Sequence, residues 1–245
     1  MSPSTESREN RDLATEIKFL VPKPLAEQIR VWARQRLEPD PNGKDGRDLY
    51  EITSLYMDTA DFDVFHRRGS YGRSKFRVRR YNSGPVAFLE RKLKTRGLVS
   101  KRRSLVTLEE LARLSAPQPD RSWLGAWYHE RLLLRKLQPI CQISYHRMAR
   151  VGICPTGLIR LTVDENLRAW PLASLQFRED DQAFGLLTDQ AIIELKYREP
   201  LPALFKELAE TFSIKPQALS KYRLAARSLG LAPELTDQAP TAAVA

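Results

Sequence analysis

The stretch KFRVRRY, residues 75–81, alternates with a period of two. On a strand, Lys75, Arg77 and Arg79 share one side, and Phe76, Val78 and Arg80 the other. A strand of a soluble sheet turns its apolar side to the core and its charges to water. A whole side of fixed positive charge therefore raises the question of what it faces. Neighbouring segments repeat the pattern. Glu16 pairs with Lys18 on one side, Glu90 with Lys92, Lys101 with Arg103, and Tyr145 with Arg147. Arg160, Thr162 and Asp164 share a side, as do Glu194 and Lys196. For any one strand, a half-solvated sheet explains the charges. Together they place Lys and Glu at strand centres, where β-propensity disfavours both. A barrel too wide to be filled by side chains accounts for all of them. Its charged sides line a water-filled channel, and its apolar sides pack outward against helices.

The rest of the chain agrees with a mainly β (α+β) fold. Strands are expected at 15–21, 50–59, 74–81, 86–93, 98–104, 141–151, 158–166 and 190–197. Helices are expected at 22–37, 123–137, 201–212 and 216–229, and a short helix or turn at 61–68. Another starts at Thr107, where Thr107 and Glu110 fit a capping box. The middle strands lie too close in sequence for βαβ crossovers. The expected architecture is a closed antiparallel β-barrel tunnel with helices packed outside. One domain over 13–230 is expected, between disordered tails at 1–12 and 231–245.

Composition sets the outer limits. Of 245 residues, 42% are hydrophobic and 29% charged, enough for a core and against wholesale disorder. Lys and Arg number 40 against 30 Asp and Glu, a net charge of +10, which fits an anionic partner or a solvated basic surface. Cys141 and Cys154 make no disulfide framework, and three histidines fit no zinc spacing. A reducing cytoplasmic location is expected. No apolar run reaches the ~18–20 residues that cross a bilayer, and MSPSTESREN at the start carries no secretory signal. His146 falls opposite Arg147 and reads as structural, and Trp123, Trp127 and Tyr128 read as anchors packing a helix on the barrel. GLVSKRR reads as strand rather than as a basic targeting patch.

The channel charges are strongly positive. Lys18, Arg77, Arg79, Lys92, Lys101, Arg103, Arg147, Arg160 and Lys196 face Glu16, Glu90, Asp164 and Glu194. Two unit charges ~7 Å apart at an effective dielectric near 20 repel by roughly 2 kcal/mol. A polyanion entering the channel relieves that repulsion. Arginine offers planar forks to phosphate oxygens, lysine a movable point charge. The few carboxylates suit a hard divalent ion, Mg²⁺ or Mn²⁺, that bridges phosphates.

The ordered set EIKF, SLYMDT, KFRVRRY, LERKLK with SKRR, SYHRMA, RLTVDENL, IIELKY and LSKY resembles the vacuolar transporter chaperone (VTC) domain family. That family belongs to the triphosphate tunnel metalloenzymes, with the CYTH proteins. The resemblance spans about residues 14–224; each motif is weak alone, and the order is specific. It implies a polyphosphate polymerase, which transfers the γ-phosphoryl group of ATP to a growing inorganic polyphosphate chain. By motif position Lys18 is the basic residue of the first strand, Arg77 and Arg79 the arginine pair, and Lys92 the lysine of the ERK motif. Lys101 belongs to the next strand and Arg147 to the YxR motif. Glu194 stands at the metal-binding glutamate, and Lys221 at the lysine near the tunnel end. These imply catalytic roles for Lys18, Arg77, Arg79, Lys92, Lys101 and Arg147. Substrate contacts are expected from Glu16, Glu90, Arg103, Arg160, Lys196 and Lys221. One departure is Ala218, which stands where the family pattern KFSK has its first lysine; Lys215 lies nearby. The resemblance is to a stand-alone form, without membrane helices or a separate N-terminal SPX domain; a membrane partner for the product stays open.

Two rival readings remain. A triphosphatase uses water as acceptor and needs a general base, for which Glu90 and Glu16 are the candidates. A non-catalytic module binds polyphosphate or RNA without turnover. Single-stranded nucleic-acid binders stack bases on aromatics beside their cations. Phe76, Phe88 and Phe19 are read here as lying opposite the channel charges, which counts against nucleic acid.

Overall fold

Eight strands pair edge to edge until the last meets the first. The computed structural model describes residues 8–41, 43, 48–95 and 98–232. The ring strands are β1 (Arg8–Pro22), β3 (Leu49–Asp58), β4 (Ser74–Tyr81), β5 (Val86–Thr95), β6 (Leu98–Thr107), β7 (Gln138–Cys154), β8 (Gly157–Pro171) and β10 (Gln190–Tyr197). The short β2 (Glu38–Pro39) and β9 (Phe184–Leu186) lie on its outside edges, on β7 and β8. The order is β7-β3-β4-β5-β6-β1-β10-β8, and β8 returns to β7. Each of these pairings is antiparallel. Closure removes the unpaired edges that an open sheet of this size would expose.

Register carries the alternation around the ring. Arg77 lies across from Tyr56 on one neighbour and Glu90 on the other. Lys92 lies across from Lys101, Lys18 from Glu194, and Arg147 from Asp164. The intervening residues point outward and are buried under helices. Helices α1 (Lys23–Arg36) and α4 (Ala203–Thr211) cover Phe19, Leu161, Val163, Ile193 and Leu195 with Ile29, Trp32, Ala33, Phe205 and Leu208. Helix α3 (Ala126–Leu134) and the 3₁₀ turns at 109–115 cover Phe76, Val78, Leu89 and Val106 with Tyr128, Leu132, Leu111 and Leu114. These apolar side chains thus sit outside the ring wall, as the channel reading requires, while Tyr56, Tyr145 and Tyr222 of the larger cluster line the cavity.

Several boundaries differ from expectation. β1 starts at Arg8, so residues 8–12, read as tail, pair through their backbone with β6, Arg8 across from Arg103 and Asn10 across from Lys101. Main-chain hydrogen bonds close the ring whatever the side chains, so polar composition was no guide there. At the other end, Leu231 and Ala232 pack on the core cluster, although they too were read as tail. The remainder of both expected tails, residues 1–7 and 233–245, lies outside the described residues. The helix expected at 216–229 begins only at Lys221, as α5 (Lys221–Ser228). Ser220 caps it, accepting from the Arg223 backbone N–H, and Pro216–Ser220 runs as a non-helical strap. The segment read as a short helix or turn at 61–68 holds the single turn α2 (Asp63–His66), followed by 3₁₀ turns at 69–73. The capping box at Thr107 forms both its bonds, but the turns that follow are 3₁₀.

Candidate active site

The ring encloses a cavity of about 600 Å³, a size suited to a small-molecule ligand. Fourteen lysines and arginines stand on its wall against two carboxylates, Glu16 and Glu194. Lys18, Arg77, Arg79, Lys92, Lys101 and Arg147 all reach it, from the five strands β1, β4, β5, β6 and β7. Arg160, Lys196 and Lys221 reach it too. Glu90 and Arg103 do not. Glu90 is fully buried behind the wall. The Arg103 guanidinium lies 4.8 Å from the Phe88 ring centre.

The cations are organised around carboxylates. Glu90 accepts from Arg77 Nε at 2.8 Å and from Lys101 Nζ at 2.9 Å, with Arg79 at 4.0 Å. Burial alone would raise the Glu90 carboxyl, but Arg77, Arg79 and Lys101 outweigh it and hold it well below the ordinary range. Asp164, also fully buried, takes a two-pronged bond from Arg147 at 2.6 and 2.7 Å and one from Lys221 at 2.6 Å. Its carboxyl is held low against burial by those two cations. Lys18 lies 3.7 Å from Glu16 and 3.8 Å from Glu194, and Lys92 also bonds Glu16. Burial would raise Glu194, yet Lys18 and Lys92 hold it well below the usual carboxylate range. Arg79 donates to Ser54 and Tyr145. Arg160 is tied to Asp40 and to the Tyr50 hydroxyl.

Glu16 and Glu194 are the residues that fit a divalent ion. Both carboxylates come within 4 Å of the one Lys18 ammonium, so they share a locality. Among the described residues no third carboxylate, His or Cys joins them. Two carboxylates without a protein cage suit an ion of the Mg²⁺ type, which keeps waters and takes its remaining ligands from substrate phosphates.

The set read from sequence was incomplete. Lys75 lies on the wall, and its ammonium is pushed down to about 7 by burial, then by Lys92, Lys18, Arg77 and Arg67. Period-two reading placed Lys75 beside Arg77, and on β5 the same reading carried two residues past Lys92 would have given Lys94. Arg67, Arg73 and Arg223 also line the cavity, but from turns and a helix, where alternation gives no signal. Ala218 is on the wall, while the exposed Lys215 is not.

Phe88 needs correction. Residues 88 and 90 share parity, so Phe88 faces the channel side, near Tyr81 at 5.7 Å, which in turn lies 5.9 Å from Tyr50. Arg103 and Arg79 lie over this group, 4.8 Å from Phe88 and 6.0 Å from Tyr81. The rings therefore stack on one another and on guanidinium groups.

A closed antiparallel ring with a cation-lined interior and helices outside is the triphosphate tunnel (CYTH-like) architecture. The VTC domain sequence model matches residues 13–229, and the chain belongs to the VTC domain family. A putative adenylate cyclase from Bacillus halodurans shares the fold, with a TM-score of 0.51 and 15% identity over 85% of this chain and 95% of that one. A putative adenylyl cyclase from Hippeastrum, described as having a dominant triphosphatase activity, gives 0.49 and 17% over 91% and 99%. A conserved hypothetical protein from Pyrococcus furiosus gives 0.48 and 12% over 86% and 99%. No curated protein matches the sequence significantly. Among the described residues no helix is long and apolar enough to cross a membrane.

Proposed function

We propose that this protein is a polyphosphate polymerase, transferring the γ-phosphoryl group of ATP to the end of an inorganic polyphosphate chain with Mn²⁺ or Mg²⁺. The observation that carries this reading is a wall of cations from seven strands converging on one cavity, with both of its carboxylates paired to lysines.

Phosphoryl transfer needs positioning and charge neutralisation more than covalent chemistry. Arg77, Arg79, Lys101 and Arg147 are fixed in direction by Glu90, Tyr145 and Asp164, so little reorganisation is required when anions arrive. They neutralise the triphosphate and the charge spread over the transferred group. Lys18 and Lys92 sit beside Glu16 and Glu194 and hold the neighbouring phosphates. Glu194 and Glu16 would hold a divalent ion, which would supply further charge neutralisation. The terminal oxygen of the chain forms the new bond to the γ-phosphorus, the bond to the β–γ bridging oxygen breaks, and ADP leaves.

The acceptor follows from the acid–base inventory. Glu16 and Glu194 are paired with lysines, and Glu194 is held far from neutrality. Glu90, the other candidate base, does not reach the cavity. A water acceptor calls for a base poised near the working pH, whereas a phosphate chain end is already ionised. The reading is consistent with a reducing cytoplasmic setting, since both cysteines are free thiols.

The test is product analysis after incubation with ATP and Mn²⁺ or Mg²⁺. Long polyphosphate is expected, and it should disappear in Lys92→Ala and Glu194→Ala. Release of free phosphate alone would replace polymerase with triphosphatase. Tight binding with no turnover would leave a polyphosphate-binding module.

A further inference from the structure

Within the ring, most of the cations described above are paired with carboxylates. At one mouth they are not. Arg67, at the C-terminal end of α2, and Arg73, at the end of the 3₁₀ turns, are exposed and line the same cavity, as does Lys94 near the end of β5. Arg223, in the first turn of α5, completes the group, with its guanidinium 5.4 Å from the Phe65 ring centre and its buried Nε lacking a hydrogen-bond partner. Among the described residues, Arg67, Arg73 and Lys94 have no ion-pair or hydrogen-bond partner for their side chains. Neither carboxylate of the cavity wall is paired with any of the four.

The loop that presents them is tightly built. A Cβ at Gly72 would lie 2.7 Å from the Arg67 carbonyl oxygen, so residue 72 must be small for Arg67 and Arg73 to come to one mouth. The strap 216–220 borders the same opening, held by the Gln217 N–H donating to the Lys18 carbonyl at 2.7 Å and by Lys75 donating to Ser220 at 2.7 Å. A triphosphate occupying the ring is met mostly by cations that already have counter-charges. A longer chain has further phosphates to place outside the ring, where the unpaired cations stand.

We propose that Arg67, Arg73 and Lys94, with Arg223 behind them, form a second anion site at this mouth, which holds the distal phosphates of a linear polyphosphate while the chain end lies inside the ring. The site selects for chain length. It rests on the substrate class proposed above, but its test reads binding and needs no turnover.

The experiment compares equilibrium binding of tripolyphosphate and of long-chain polyphosphate to the wild-type chain and to Arg67→Gln/Arg73→Gln/Lys94→Gln. All three positions are exposed, and melting with saturating tripolyphosphate checks the fold. The variant should lose about tenfold or more in affinity for the long chain, and its salt slope should fall by about 2. Tripolyphosphate affinity should stay within about twofold, by the weakness of screened surface charges. Equal losses for both ligands would show a general field rather than a chain-length site and overturn the inference. So would unchanged long-chain binding, or equal competition by a single-stranded oligonucleotide of matched charge. If the selective loss appears but no polymer is ever made, the site stands and the polymerase reading falls.

Discussion

Glu90→Gln separates a counter-ion from a catalytic base. The substitution keeps shape and removes one negative charge from a position with no solvent exposure. Arg77 at 2.6 Å, Lys101 at 2.9 Å and Arg79 at 4.0 Å then lose the carboxylate they share. Breaking a buried pair by removing one partner costs roughly 3–5 kcal/mol. For a domain of this size each kcal/mol moves the Tm by about 2–4 °C, so a fall of roughly 6–20 °C is expected. The same change should tighten triphosphate binding, because the cations face the ligand without their internal competitor. A unit charge ~7 Å behind the ligand, at an effective dielectric of ~20–40, is worth roughly 1–2 kcal/mol, about tenfold in Kd. The assay is thermal melting across a tripolyphosphate titration, with Kd from calorimetry. The variant should melt lower when empty and gain more from ligand than the wild type. A Tm within about 2 °C of the wild type would refute the counter-ion account, given the expected cost. Weaker ligand binding would refute it as well.

Three further outcomes are expected. Lys75 has its ammonium pushed down to about 7 when the cavity is empty, and a phosphate beside it raises that value. Its contribution to affinity is therefore complete below pH 7 and fades as pH rises from there to the liganded pKa. Calorimetry at pH 8 in buffers of differing ionisation heat should show proton uptake on triphosphate binding, absent in Lys75→Arg; uptake that persists in the variant would assign it elsewhere. Tyr222 donates to buried Asp58, which also accepts from the backbone N–H groups of Thr59, Val64 and Phe65 at 2.7–2.9 Å. Tyr222→Phe should cost about 1–3 kcal/mol in denaturant unfolding, and no change would mean that the α5 tether is dispensable. Mn²⁺ should bind weakly to the protein alone and tightly once a non-hydrolysable triphosphate is present, since Glu16 and Glu194 supply only part of a coordination shell. Glu194→Gln should abolish the tight binding, as read by Mn²⁺ electron spin resonance.

Sequence alone determined which residues face the same way. Side-chain direction on a strand has a period of two, so Arg77 with Arg79, Glu90 with Lys92 and Glu194 with Lys196 could be paired without coordinates. The same rule, applied with care, places Phe88 on the channel side. Strand recurrence and the ordered motifs then gave the closed ring and the family. Only the tertiary structure decided depth and partnership. Glu90 and Lys92 share a face, yet Glu90 is sealed behind Arg77 and Lys101 while Lys92 reaches the cavity. Which group is sealed depends on register with β4 and β6 and on barrel tilt, which no single strand encodes. Arg67, Arg73 and Arg223 come from turns and a helix, where no periodicity marks an inward direction, so their convergence at one mouth belongs to the folded chain. Local geometry is written residue by residue, whereas the field inside the ring is a sum over strands distant in sequence.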